Sequence, residues 1–362
     1  MASSIDPAIP PFGNPTTSGV RGNFLTAKTE IEALQAEVAA LRAYMTGLWA
    51  GFEDPDNVTL AWDNVTRTFT ISPISGSFSF YAGGTLYSKS AAQSISIPDV
   101  TGNYYFYFNT SGVLTVGTAF DDNFILLYAF AAKLYYNATT NLAVPDAVIE
   151  MHQSYVPSQV HLYLHGVMGC RYDQAIGGLL PIITVDGDGS QNAHIQVAAS
   201  AGALWDDAVR VTIPSRLITD AIPKLYLTGS GADWTFAEAT AQMVVTTGSG
   251  RAAFNQFVTG SWTLTEVTNN NYVLLHLFAF PGFTKRWLIV VGQAQYATIA
   301  LAQAAAQTEI KNIVQIPLPE ALPVATFIAQ TSDTYTNSVK SRLVSVSAGN
   351  GFIDWRYIWQ PT

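Results

Sequence analysis

Between Phe24 and Leu48 apolar side chains recur at alternating intervals of three and four residues: Phe24, Ala27, Ile31, Leu34, Val38, Leu41, Met45 and Leu48. That spacing is the a/d register of a heptad repeat, and it predicts a coiled-coil helix over residues 24–50. The stripe is two positions wide per heptad, whereas a helix resting on its own domain usually shows three. A seam so narrow points to association between identical helices. Glu30 and Glu37 fall at g and Lys28, Gln35 and Arg42 at e, which lets Glu37 meet Arg42 of a parallel neighbour. Val38 at a with Leu34 and Leu41 at d suits a dimer, yet Phe24, Ala27 and Met45 depart from that rule, so the seam leaves the number of helices open. Gly47, Gly51 and Asp54-Pro55 supply the stop.

Upstream, Asp6-Pro7, Pro10-Pro11 and Asn14-Pro15 remove amide donors and push their predecessors out of helix. Residues 1–23 are therefore expected to form an extended arm. Ile5, Ile9 and Phe12 are its candidate docking side chains, set for a groove on another protein; a loose terminus is the alternative.

Composition limits the partners. Charged residues make up 12% of 362, about half the usual share of ~25%. With 17 basic against 26 acidic side chains the net charge is −9, which argues against nucleic-acid binding through phosphate contacts. A single cysteine, Cys170, excludes an internal disulfide framework. No apolar run approaches the ~20 residues of a membrane-spanning helix, and none resembles a signal peptide, so the expectation is a product made in a cytoplasm without membrane insertion.

After residue 55 the period changes to two. Segments 58–62, 66–71, 77–81 and 104–108 alternate or run apolar with aromatic and β-branched residues, with Asn109-Thr-Ser-Gly112 as a hairpin turn. Residues 124–136 read as one buried strand. The expected fold is mainly β with a short N-terminal coiled coil and tandem antiparallel β domains. A first β domain spans 55–150, a connecting module 151–222, and a C-terminal β-rich α+β domain 223–362, with one helix over 298–314. Asp99-Val100-Thr101, Asn103 and Tyr105 echo Glu266-Val267-Thr268, Asn270 and Tyr272, while Tyr87 matches Phe254 at the same offset. Two related modules or chance recurrence of turn chemistry both account for it.

Few motifs carry chemistry. His161 and His165 are four apart, with His152 nearby, and share a face if the segment is helical. No glutamate follows His161 to act as base, so packing or hydrogen-bonding histidines are expected; a metal on a symmetry axis is the alternative. Asp186-Gly-Asp188-Gly-Ser190 starts like a calcium loop but lacks the closing glutamate, since position 197 is Val, and is read as a polar turn. Asp121, Asp122, Glu150, Asp206 and Asp207 supply carboxylates for a glycosidase pair, yet adjacent aspartates are ordinarily solvated loop residues. No metal, cofactor or catalytic residue is expected. Eight Trp and seventeen Tyr are available for core packing, subunit interfaces or saccharide-binding surfaces.

The opening Ile5-Asp6-Pro7 with Pro10, and Pro15-Thr-Thr-Ser-Gly-Val-Arg21-Gly-Asn23-Phe24 before a helix containing Glu30-Ile31, resembles an N-terminal signature of tailed-bacteriophage structural proteins. The body resembles a group of fibre-like phage virion proteins. The matching stretches are Tyr136-Asn137, Glu150 with His152, and His161-Leu-Tyr-Leu-His165 leading to Gly169, Arg171 and Tyr172. They continue with Arg251-Ala-Ala-Phe254-Asn255-Gln256-Phe257, Gly292-Gln293 with Tyr296, Ala305-Ala-Gln-Thr308-Glu309, Gln330-Thr-Ser332 and Phe352-Ile-Asp354-Trp355-Arg356. Met151 and Cys170 stand where that group carries arginine and threonine. The resemblance implies a non-enzymatic homotrimeric tail fibre or spike on the virion, anchored by its N-terminal arm to other virion proteins, with a host surface glycan as a candidate ligand. A capsid or neck decoration protein is the alternative. A polysaccharide depolymerase is less favoured, because no long β-helical repeat is visible.

Overall fold

The protein is described by a computed structural model covering residues 17–46, 49–313, 316–318, 320–346 and 351–357. It is mainly β, with several antiparallel sheets and one long N-terminal helix. That helix, α1, runs Thr17–Thr46. It starts within the segment expected to be extended, because the last proline is Pro15 and nothing from Thr17 to Asn23 bars helical geometry. Ile5, Ile9, Phe12 and Leu48 lie outside the described residues.

Three sheets build the first β unit. β1 (Gly51–Phe52), β2 (Val58–Asp63), β3 (Thr68–Pro73), β4 (Phe78–Ala82), β5 (Thr85–Lys89) and β6 (Gln93–Ser96) form the sheets β1-β4-β5 and β2-β3-β6. β7 (Gly102–Phe108), β8 (Leu114–Gly117), β9 (Ala129–Asn137), β10 (Leu142–Ala143) and β11 (Val148–Ile149) form the third, ordered β10-β9-β7-β8 with β11 also on β9. Alternation decides what faces inward: in β4, Phe78, Phe80 and Ala82 are buried. Their rings meet Phe52 and Phe108, with Phe80 stacked on Phe108 at 4.1 Å and Phe69 on Phe106 at 4.4 Å. The Asn109 turn forms as expected, its side-chain oxygen accepting from the amides of Ser111 and Val113.

The 124–136 segment is not one strand. Asn123–Leu126 is a helical turn, α2, whose first amide donates to Asp121; only from Ala129 does the chain enter β9. Every residue of β9 is buried, because both faces of the strand are covered.

Residues 158–168 are helical: α3 (Ser158–Tyr163) continues into a wider π turn over Leu164–Met168, closed by the Gly169 amide on the Leu164 carbonyl. Beyond it lie β12 (Arg171–Tyr172), β13 (Pro181–Ile182), β14 (Ala198–Ala199), β15 (Gly202–Asp206) and β16 (Val209–Ile213). Leu179, Ile195, Val197, Leu204 and Ile213 from this stretch share a core with Val273, Leu275, Ile289 and Phe327.

The last unit contains β17 (Lys224–Thr228), β18 (Asp233–Ala237), β19 (Thr246–Thr247), β20 (Arg251–Val258), β21 (Ser261–Glu266), β22 (Tyr272–Ala279), β23 (Trp287–Tyr296), α4 (Ile299–Asn312), β24 (Leu322–Thr331), β25 (Ser341–Val344) and β26 (Ile353–Asp354). Its main sheet is ordered β18-β17-β23-β22-β24-β25, with β26 also on β24. The expected helix is α4, capped by Thr298, whose hydroxyl accepts from the Leu301 amide. Ala302, Ala306 and Ile310 seat it against Leu274, Leu288 and Ile328.

The sequence echo has a topological counterpart. β7, β8, α2, β9, β10 and β11 repeat as β22, β23, α4, β24, β25 and β26. In both series the first strand lies between the second and the one after the helix, and two short strands add to that outer strand.

Candidate functional site

Where β11 ends, the Glu150 amide donates to the Ala131 carbonyl of β9, while Val148 pairs with Lys133. This brings Glu150 and Lys133 to one face of β9. The chain then passes β1, where the Phe52 amide donates to the His152 carbonyl and the Ser154 amide to Phe52. Gly51, at φ +108°, makes that approach possible: a Cβ there would stand 2.5 Å from the His152 carbonyl oxygen. His152 is thereby fixed two residues after Glu150.

His161 lies on α3 and His165 on the π turn one helical turn later. Such turns recur at functional sites because they re-aim side chains. The β15–β16 hairpin closes the other side. Asp207 occupies its turn at φ +50°, and the Asp206 and Asp207 side chains point inward; the Asp207 side chain is fully buried. The expectation that this pair is solvated is therefore corrected: the turn is present, but its outer side is covered by the histidines. Glu320, two residues before β24, completes the cluster.

Distances are short. His152 Nδ1 is 3.3 Å from Asp207 Oδ2, and His165 Nδ1 lies 3.6 Å from the same oxygen and 3.5 Å from Glu320 Oε1. The His152 and His161 rings are 5.1 Å apart, and Phe120 stacks on His165 at 5.5 Å. One donor atom each from Glu150, His152 and His165 falls within 4.8 Å of the others. A cavity of about 210 Å³, lined by Tyr105, Phe120, Phe130, Lys133, Glu150 and His165, adjoins the cluster.

Hydrogen bonding does not satisfy these groups. Both Glu150 oxygens, His152 Nε2, His161 Nε2, His165 Nδ1, both Asp207 oxygens, Asp206 Oδ1 and Glu320 Oε2 are buried without a hydrogen bond, the Asp207 and His165 contacts above being ion-pair contacts only. Burial, reinforced by Glu320, pushes the Glu150 carboxyl up to about 8 against the pull of His165 and Lys133. Asp206 is raised by burial and then by Glu320, Glu150 and Asp207. Burial and the other two imidazoles hold His152 well below the ordinary histidine range. His165 moves up to about 9: burial opposes its charge, but Asp207, Glu320 and Glu150 together prevail. Lys133 falls to about 8 through burial. Four carboxylates thus share one space with one amine and three imidazoles, an arrangement suited to holding shared protons or a cation.

The other sequence candidates are dispersed. Phe24, Ile31, Leu34, Val38 and Leu41 are exposed along α1 with Ala27 half-buried, and Met45 lies in its last turn. Asp121 and Asp122 start α2. The Asp188 carboxylate accepts from Ser190 and that of Asp186 from Ser345, so this loop is a polar turn. Of the tryptophans, Trp234, Trp287 and Trp355 are buried, while Trp49 and Trp205 are exposed. Lys133 and Glu320 escaped the sequence reading. The one available signal was a lone charge, Lys133, inside the apolar run that becomes β9.

No protein-family model and no curated protein sequence matches the chain. Among the described residues no helix is long and apolar enough to cross a membrane.

Proposed function

We propose that the chain is a fibre-like structural component of a tailed-bacteriophage particle, a homotrimer joined along α1 and mounted through the residues upstream of it. One observation carries this reading: among the described residues nothing covers the a/d row of α1 beyond half-buried Ala27, with Phe24 at 72% and Leu34 and Leu41 at about 60% exposure. A row of that length is an adhesive surface in water unless identical rows cover it. Trimeric rather than dimeric order follows from the resemblance to fibre-like virion proteins. The low share of charged residues agrees with interfaces between the β units, because interface cores are depleted in Asp, Glu and Lys. A host surface glycan is the partner suited to the exposed rings of Tyr155 and Trp205.

The test is the mass of the purified chain by light scattering. Three times the 39.0 kDa chain mass is expected. A single chain mass at high concentration overturns the proposal. Imaging of particles carrying a C-terminal label then separates a tail position from a collar or capsid position.

A further inference from the structure

We propose that Glu150, His152 and His165 form a binding site for one divalent transition-metal ion of the zinc class. This inference is independent of the virion reading. The donor set comes first: one carboxylate with two imidazoles suits zinc and its neighbours, whereas calcium and magnesium prefer oxygen alone. Orphaned atoms come second. Glu150 is fully buried and His152 is 3% exposed, and the Glu150 oxygens and His152 Nε2 have no hydrogen-bond partner, while His165 Nδ1 meets only the Asp207 and Glu320 carboxylates at 3.6 and 3.5 Å. A single cation would serve all of these atoms.

The surroundings supply the support that ligating histidines require. Asp207 Oδ2, 3.3 Å from His152 Nδ1, favours the proton on that nitrogen and leaves the Nε2 lone pair free, and Nε2 is the unpartnered atom. Tetrahedral donors at ordinary zinc distances stand ~3.3–3.6 Å apart. The present spread of up to 4.8 Å needs a contraction of about 1 Å, within reach of side-chain rotation. Glu150 and His165 also line the 210 Å³ cavity, so a fourth position has room for water or a small ligand, and His161 with its unpartnered Nε2 is a further donor.

A second buried network shows what this chain does when polar groups serve packing alone. His276 binds Thr326 Oγ1 through Nδ1 at 2.8 Å and Glu309 Oε1 through Nε2 at 3.2 Å. Glu309 also accepts from the Gln293 amide and the Tyr296 hydroxyl, and Trp355 Nε1 donates to Thr326. No side-chain atom of that network is orphaned. Carboxylate and imidazole are fully hydrogen-bonded there, whereas around Glu150 both of its oxygens and His152 Nε2 have no hydrogen bond.

The full chain, stripped with a chelator, is titrated with zinc and separately with cobalt. About one ion per chain is expected, with the visible absorption of low-coordinate cobalt and a raised thermal midpoint. Glu150→Gln and His165→Ala should each weaken binding by at least ~10-fold, while His194→Ala, outside the cluster, leaves it unchanged. If either cluster variant fails to fold, the wild-type stoichiometry and cobalt spectrum decide. Absence of bound metal and of any thermal shift overturns the proposal, as does an equal loss of affinity in His194→Ala.

Discussion

Replacing Leu34 and Leu41 together by aspartate isolates the contribution of α1 to association. The two side chains are 60% and 61% exposed in the single chain, so the substitution takes little from its own packing. Burying a whole leucine side chain is worth about 1.5–3 kcal/mol, and covering the exposed part of each therefore contributes ~1–2 kcal/mol per chain. Over three chains the pair brings ~6–12 kcal/mol. Dissociation of a trimer depends on the square of the concentration, so the midpoint should rise by ~2–4 decades. Repulsion among six clustered carboxylates adds to that figure. Sedimentation equilibrium across a dilution series measures the midpoint, with Ala36→Asp on the opposite side of the helix as control. An unchanged midpoint in the double variant, or an equal shift in the control, would refute the argument that this row is the contact.

Two further outcomes concern stability. Burial, with Arg216 nearby, lowers Lys224 to about 8, although its ammonium donates to Thr240 and to the Gln242 carbonyl. Between pH 8 and 10.5 the unfolded chain binds the extra proton, so this group makes stability rise with pH there. The difference between wild type and Lys224→Met in urea unfolding should grow by up to about 3 kcal/mol across that window, and a flat difference would refute the assignment. Glu309→Ala strips partners from His276, Tyr296 and the Gln293 amide and should cost about 3–5 kcal/mol, with Glu309→Gln costing less; equal midpoints for the two variants would count against the network.

Local physics was legible in the residues themselves. The three-four spacing announced α1, and Thr298 with the Ile299-Ala302-Ala306-Ile310 pattern announced α4. A local rule misleads where it is carried beyond the residues that justify it. The prolines bar helix only as far as Pro15, not to residue 23, and the apolar run from Phe124 conceals a single helical turn entered through Asp121, whose carboxylate accepts from the Asn123 amide. The Glu150 cluster was illegible for a different reason. Its groups come from β9, the β11 exit, α3, the β15–β16 hairpin and the approach to β24, and only the pairing of distant strands brings them together.

The Asp206-Asp207 pair shows where reading from sequence stops. Its turn follows from local preference, since aspartate tolerates positive φ, but whether a turn meets water or three imidazoles is decided by what packs over it. The same limit explains the weak internal echo. Two modules can share strand order, helix position and flanking short strands while keeping only a few turn residues in common, because a buried strand needs apolar character rather than particular side chains. What differs between the modules is then the informative part: the second closes its polar core with hydrogen bonds, and the first leaves both Glu150 oxygens and His152 Nε2 without one. Burying polar groups without hydrogen bonds is costly, and burial offsets part of that cost here by favouring the neutral Glu150 carboxyl; a bound cation of the kind proposed above would offset the rest.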